Sequence, residues 1–191
     1  MADEAFHSGK SARKNTGKPR PPLNEARLRA LALHYAGRYA TTRHRLSDFM
    51  KRKVRERGWD TGIESESRTV ISAFVEQFAT LGYVDDHAFA ASKAASLARR
   101  GYGAMRIRAA LSHAGIEAEQ ARAASEIEPE EALLAAFRFA KRKRIGPFAS
   151  VPADQKAYHR AFSACLRAGH SVENARKVLT TSPDSVPIQG E

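Results

Sequence analysis

A single cysteine in 191 residues rules out an intramolecular disulfide and suits a reducing compartment. Cys165 falls within a helical apolar pattern and reads as a small core residue. No apolar run approaches the roughly 18–20 residues that cross a bilayer. The first residues carry Asp3 and Glu4 with no apolar stretch behind them, so neither a membrane span nor a signal peptide is expected. The expected location is the cytoplasm. The seven histidines (His7, His34, His44, His87, His113, His159 and His170) show no metal-ligand spacing. The pairs Gly9-Lys10 and Gly17-Lys18 lack the spacing of a phosphate-binding loop, and no serine stands in a Gly-x-Ser-x-Gly elbow. No catalytic residue, metal ion or cofactor is expected, and an enzyme is not.

Charge of one sign is abundant. Lysine and arginine total 32 against 21 acids, a net charge of +11 that favours polyanions: nucleic acid first, an acidic protein surface second. The excess is clustered. Arg43, Arg45, Lys51, Arg52, Lys53, Arg55 and Arg57 face only Asp48 and Glu56 along the same stretch. Arg99, Arg100, Arg106 and Arg108 form a second group without an acid between them, and Arg138, Lys141, Arg142, Lys143 and Arg144 a third. Any single one of these reads equally well as a solvated helix face, and the consecutive Lys51, Arg52 and Lys53 must point in different directions. The clusters show no aromatic platforms for single-strand stacking. Tyr102 is the only aromatic within the second group, where a turn-capping role competes. No zinc-finger, basic-zipper or ribonucleoprotein motif is present, so binding without base readout is the expectation.

The apolar positions follow a helical period almost throughout. Val70, Ile71, Phe74, Val75, Phe78 and Leu81 form one stripe, Leu46, Phe49, Met50 and Val54 another, and Tyr158, Phe162, Cys165 and Leu166 a third. No segment alternates as a strand does, so the chain reads as all-α. Gly58, Gly115 and Gly169 each close a basic helix at nearly equal intervals, and Ala110, Leu111 and Ala121 align with Ala164, Cys165 and Ala175. This predicts three tandem three-helix repeats, about nine helices, stacked around one continuous core. The expected limits are a basic tail over 1–23, repeats over 24–82, 83–127 and 128–181, and a C-terminal tail over 182–191. Stacking would align the clusters into a basic stripe.

The middle of the chain carries the most specific pattern. Gly82 can end a helix in the left-handed conformation, and Asp85 or Asp86 can cap the next. Gly101 and Gly103 flank Tyr102 in the following turn, with little apparent packing use, and one of them is expected at positive φ. The adjacent pair Asp85-Asp86 reads as a cap, not as a metal or acid/base site.

These residues resemble a family. Gly82, Tyr83, Asp85, Asp86, Phe89, Arg100, Gly101, Tyr102, Gly103, Arg106, Ile107, Leu111, Gly115 and Ile116 match, at the expected spacing and without a gap, the central signature of the RecX family, bacterial regulators of the RecA recombinase. The resemblance spans about Arg27 to Leu179 and is fair over 34–57, where Ser47, Phe49, Met50 and Lys53 fit a first-unit motif. It is weakest in the third unit, where Ala168-Gly169-His170 replaces the family's Arg-Gly-Phe/Tyr turn. It implies an elongated, curved array of three three-helix units that lies in the groove of the RecA–DNA filament. Such a protein inhibits recombinase activity in DNA repair and the SOS response, without catalysis of its own.

Partners expected on this reading are the RecA filament and, non-specifically, single- and double-stranded DNA, with no membrane, the chain acting as a monomer. The contact set expected is Arg43, Arg45, Lys51, Arg52, Arg55, Arg99, Arg100, Arg106, Arg108, Lys141, Arg142, Lys143 and Arg144. The alternatives are a basic helical DNA-binding protein that needs no recombinase, and an adaptor whose charge serves only solubility.

Overall fold

The computed structural model describes residues 20–151 and 154–187. The basic residues Lys10, Arg13, Lys14 and Lys18 of the expected tail lie outside this range. Among the described residues nine α-helices follow one another: α1 Glu25–Arg38, α2 Arg43–Arg57, α3 Glu64–Thr80, α4 Asp86–Arg99, α5 Ala104–His113, α6 Ala118–Ser125, α7 Pro129–Lys143, α8 Gln155–Arg167 and α9 Val172–Thr180. Among the described residues there is no strand, only an isolated bridge between Leu23 and Trp59.

Helix starts are written in the sequence. Asn24, Thr42, Asp85, Asp154 and Ser171 each accept a hydrogen bond from the backbone N–H three residues on, which satisfies a donor the helix leaves free. Gly58, Gly115 and Gly169 follow the second helix of each triplet at φ of 79°, 80° and 91°, a region that costs an L-residue about 1–2 kcal/mol.

The helices pack in threes: α1 to α3, α4 to α6 and α7 to α9. Each triplet buries its own apolar cluster. Leu28, Leu46, Met50, Ile71, Phe74 and Phe78 fill the first, and Leu97, Ile107, Leu111 and Ile116 the second. The third triplet holds two smaller clusters, one around Phe137 and Val178 and one around Phe139 and Cys165. The continuous core expected from stacking is therefore not formed. Among the described residues the first two clusters share none, and Tyr102 alone joins the second to the third.

Three expectations need correction. Leu23, assigned to the tail, is fully buried, and its N–H donates to the Gly58 carbonyl while its carbonyl accepts from the Asp60 N–H. Leu81 is 57% exposed and Leu166 39%, so both leave the stripes they were assigned to. At the far end Val186, also assigned to a tail, packs on the Phe137 cluster.

Candidate interface for a polyanionic partner

The joints between triplets decide where the basic residues stand. At the first joint the turn between α1 and α2 meets the turn after α5. Thr42 Oγ1 donates to the Ala114 carbonyl at 2.6 Å, and the Arg43 N–H donates to Asp86 Oδ1 at 2.9 Å. Gly115 lies against His44 so closely that a Cβ there would stand 2.2 Å from the histidine Cβ. The second joint repeats the scheme one triplet on: the α4–α5 turn meets the turn after α8. The Gly103 N–H donates to the Ala168 carbonyl at 2.9 Å, and the Met105 N–H to that of Gly169 at 3.3 Å. Gly101 sits at φ 75° with a would-be Cβ 2.7 Å from the Phe139 nitrogen. Both glycines thus have a packing use that their sequence context hides.

His170 closes this second joint. Its ring centroid lies 5.5 Å from that of Phe139, and Nε2 is 3.2 Å from the Gly101 carbonyl. A carbonyl only accepts, so Nε2 carries the proton. Burial pushes the His170 pKa below its ordinary value; the bond to Gly101 opposes that shift, and the nearby Arg142 charge adds to it. The histidine that breaks the third-unit pattern therefore still contacts the middle triplet.

Signature residues near the first joint are structural. Gly82 has φ 74°, Asp85 caps α4 through Ala88, and Asp86 reaches across to Arg43. Phe89 lies under the Arg45 guanidinium at 5.3 Å. Tyr83 is half exposed, its ring 5.6 Å from Phe78.

The basic residues divide by what holds them. In the first cluster Arg43 also pairs with Glu76 at 3.1 Å, Arg52 with Glu56 at 3.7 Å, and Lys53 with Glu56 at 2.6 Å. The Lys53 hydrogen bond holds the Glu56 carboxyl below its usual range. Lys51 and Arg55 stand exposed on an open groove between α2 and α3 that also includes Arg52, Trp59 and Arg68. In the second cluster Arg99 and Arg106 are exposed, whereas Arg108 is half buried with Nε donating to Ser125 Oγ at 3.3 Å. In the third, Arg138 pairs with Glu131 at 2.6 Å, and Lys141, Lys143 and Arg144 are exposed.

The second and third clusters meet on Tyr102. Arg100 lies over its ring at 5.6 Å and Arg142 at 5.1 Å, and the Arg142 guanidinium donates to the Arg100 carbonyl. Both charges keep their ring contact while remaining exposed, an arrangement in which the aromatic face offsets guanidinium repulsion. The first cluster reaches the middle triplet through Arg45 and Phe89.

Sequence reading missed two groups. On α8, Lys156, Arg160, Ser163 and Arg167 share one exposed face, at spacings of four, three and four that could have been read directly. Tyr35 of α1 stacks on Phe49 of α2, with Tyr39, just past the end of α1, beside Tyr35, which only the packing of the two helices reveals. Among the described residues no group of three or more histidine, cysteine or acidic side chains could hold a metal ion, and no helix is long and apolar enough to cross a membrane.

The model of the second three-helix domain of RecX matches residues 85–124, the span of α4 to α6. The regulatory protein RecX of Myxococcus xanthus is 33% identical over 189 residues, 95% of this chain and 99% of that protein. The regulatory protein RecX of Agrobacterium fabrum is 30% identical over 157 residues, 80% and 82% of the two chains. Two crystal structures share the fold. A regulatory protein RecX superposes at TM-score 0.62 with 19% identity, over 81% of this chain and 70% of the other. RecX from Lactobacillus salivarius does so at 0.60 with 18% identity, over 85% and 97%.

Proposed function

Because the chain belongs to the RecX family of non-enzymatic regulatory proteins, we propose that it binds the RecA–DNA filament in the bacterial cytoplasm and inhibits the recombinase. It acts as a monomer, holding acidic protein surface and DNA phosphate along one basic face. The observation that supports this reading is the meeting of Arg100 and Arg142 on Tyr102, which joins the charges of two triplets into one surface. Arg99, Arg106, Lys141 and Lys143 are also exposed on the same two triplets. Charges displayed this way act by releasing counterions from a polyanion and by steering encounter.

The test is ATP hydrolysis by purified RecA on single-stranded DNA. The chain should suppress it. The variant R99E/R106E/K141E/K143E should keep the helical dichroism and melting temperature and lose the suppression. Arg108, Arg138 and Arg142 are left intact because each is tied into the fold. Full suppression by the folded variant would move the recombinase contact elsewhere. Suppression that depends only on DNA binding, abolished by excess competitor DNA and independent of RecA concentration, would favour a DNA-binding protein that needs no recombinase.

A further inference from the structure

We propose that the α1–α2 face of the first triplet is a base-stacking site for single-stranded nucleic acid, with Tyr39 as the platform. The proposal rests on the reading that the chain meets DNA and specifies the form of DNA and the point of contact. Three rings form a ladder there. Tyr35 stacks on Phe49 with centroids 4.2 Å apart and planes 8° from parallel, and Tyr39 stands beside Tyr35 at 5.5 Å with its plane tilted by 48°. The two inner rings pack against the first core, but Tyr39 takes no part in it and is 52% exposed. An aromatic that the core does not use is free to accept another ring.

Cations surround the ladder. Arg38 lies 5.8 Å from the Tyr39 ring, and Arg52 and Lys53 lie 5.7 Å and 5.9 Å from that of Phe49. On α2, Arg45, Phe49, Arg52 and Lys53 share one face at helical spacing; Tyr35 and Arg38 stand one turn apart on α1, and Tyr39 follows the helix end with extended backbone. Among the described residues no carboxylate forms a salt bridge with Arg38 or Arg45, whereas Arg52 and Lys53 share Glu56, so the first two are the cations for phosphate. Exposed aromatic faces flanked by arginine and lysine are what a sequence-tolerant single-strand site requires: the ring takes a base, the cations take the phosphates on either side. A duplex keeps its bases stacked on one another and offers the same site phosphate alone.

The experiment uses the whole chain without recombinase and three fluorescent probes: an oligothymidylate, an abasic oligomer of equal length, and a duplex. The wild type should bind the oligothymidylate more tightly than the abasic strand. Tyr39→Ala should weaken oligothymidylate binding by about five- to hundredfold, the range of one lost base stack, and leave the other two probes unchanged. Tyr39→Phe should restore it. Equal loss on all three probes, no loss on any, or no wild-type preference for bases over abasic strand would overturn the proposal. Capture of an acidic peptide at this face with oligothymidylate binding indifferent to Tyr39 would overturn it too. Because RecA is absent, failure here leaves the ATP-hydrolysis result standing, and failure there leaves the stacking site standing.

Discussion

Gly103 and Gly169 touch backbone to backbone: a methyl group placed on Gly103 would stand 2.2 Å from the Gly169 carbonyl oxygen. Gly103 has an ordinary extended φ of −84°, so conformational freedom does not explain why it is glycine. Contact does. Gly103→Ala should therefore destabilise by about 2–3 kcal/mol through forced separation of two backbones. Gly82→Ala, at φ 74° with open space around it, should cost only about 1–2 kcal/mol. Chemical denaturation of the two variants checks the order, and a larger loss at Gly82 would refute it.

Thr42 serves two partners at the first joint. Its hydroxyl accepts from the Arg45 N–H as a helix cap and donates to the Ala114 carbonyl of the next triplet. Thr42→Val should lose about 2–4 kcal/mol, since it removes the cap and leaves a buried carbonyl unpaired. Thr42→Ser keeps both bonds and should lose less than about 1 kcal/mol. Urea midpoints distinguish them.

His170 gives the second joint a pH dependence. Its pKa is lowered on folding, chiefly by burial, so the unfolded chain binds the proton more readily. The stability it contributes is complete above the ordinary histidine value of 6.5 and is lost as pH falls through the lower folded value. Melting temperature should drop between pH 7 and 5 more steeply for the wild type than for His170→Gln, which keeps a donor for Gly101 and does not titrate. Parallel curves would show that other groups set the slope.

Cys165 is fully buried and its thiol is pushed up to about 11. It should resist a disulfide reagent at pH 8 in the native state and react once the third triplet opens. Because its cluster includes Tyr102 of the middle triplet, the second and third triplets should open together, and labelling that departs from the transition of the first is expected. Labelling that tracks only global unfolding would mean the triplets melt as one.

Helix identity was legible because caps and apolar periods are local: Asp85 announces a helix start whatever surrounds it. The pair Gly101 and Gly103 was legible as a turn, but its role as a joint was not, because nothing near it in sequence names Ala168 or Phe139 as neighbours. The same limit applied to the basic clusters. Composition marks Arg99, Arg108 and Arg142 alike, yet the bond to Ser125 and the stacking on Tyr102 set Arg108 and Arg142 apart from Arg99. The meeting of Tyr35 with Phe49 was invisible for the plainest reason: the rings come from two helices and touch only when those helices pack.

The separate cores have a mechanical consequence. Where two bodies share no apolar residue, changing the angle between them stretches a few hydrogen bonds and exposes little oil to water. The joint held by Thr42, Arg43 and Arg45 is of that kind, whereas the joint at Tyr102 is bolted through two clusters at once. Bending compliance should accordingly be concentrated between the first and second triplets, with the second and third moving as one stiff arm.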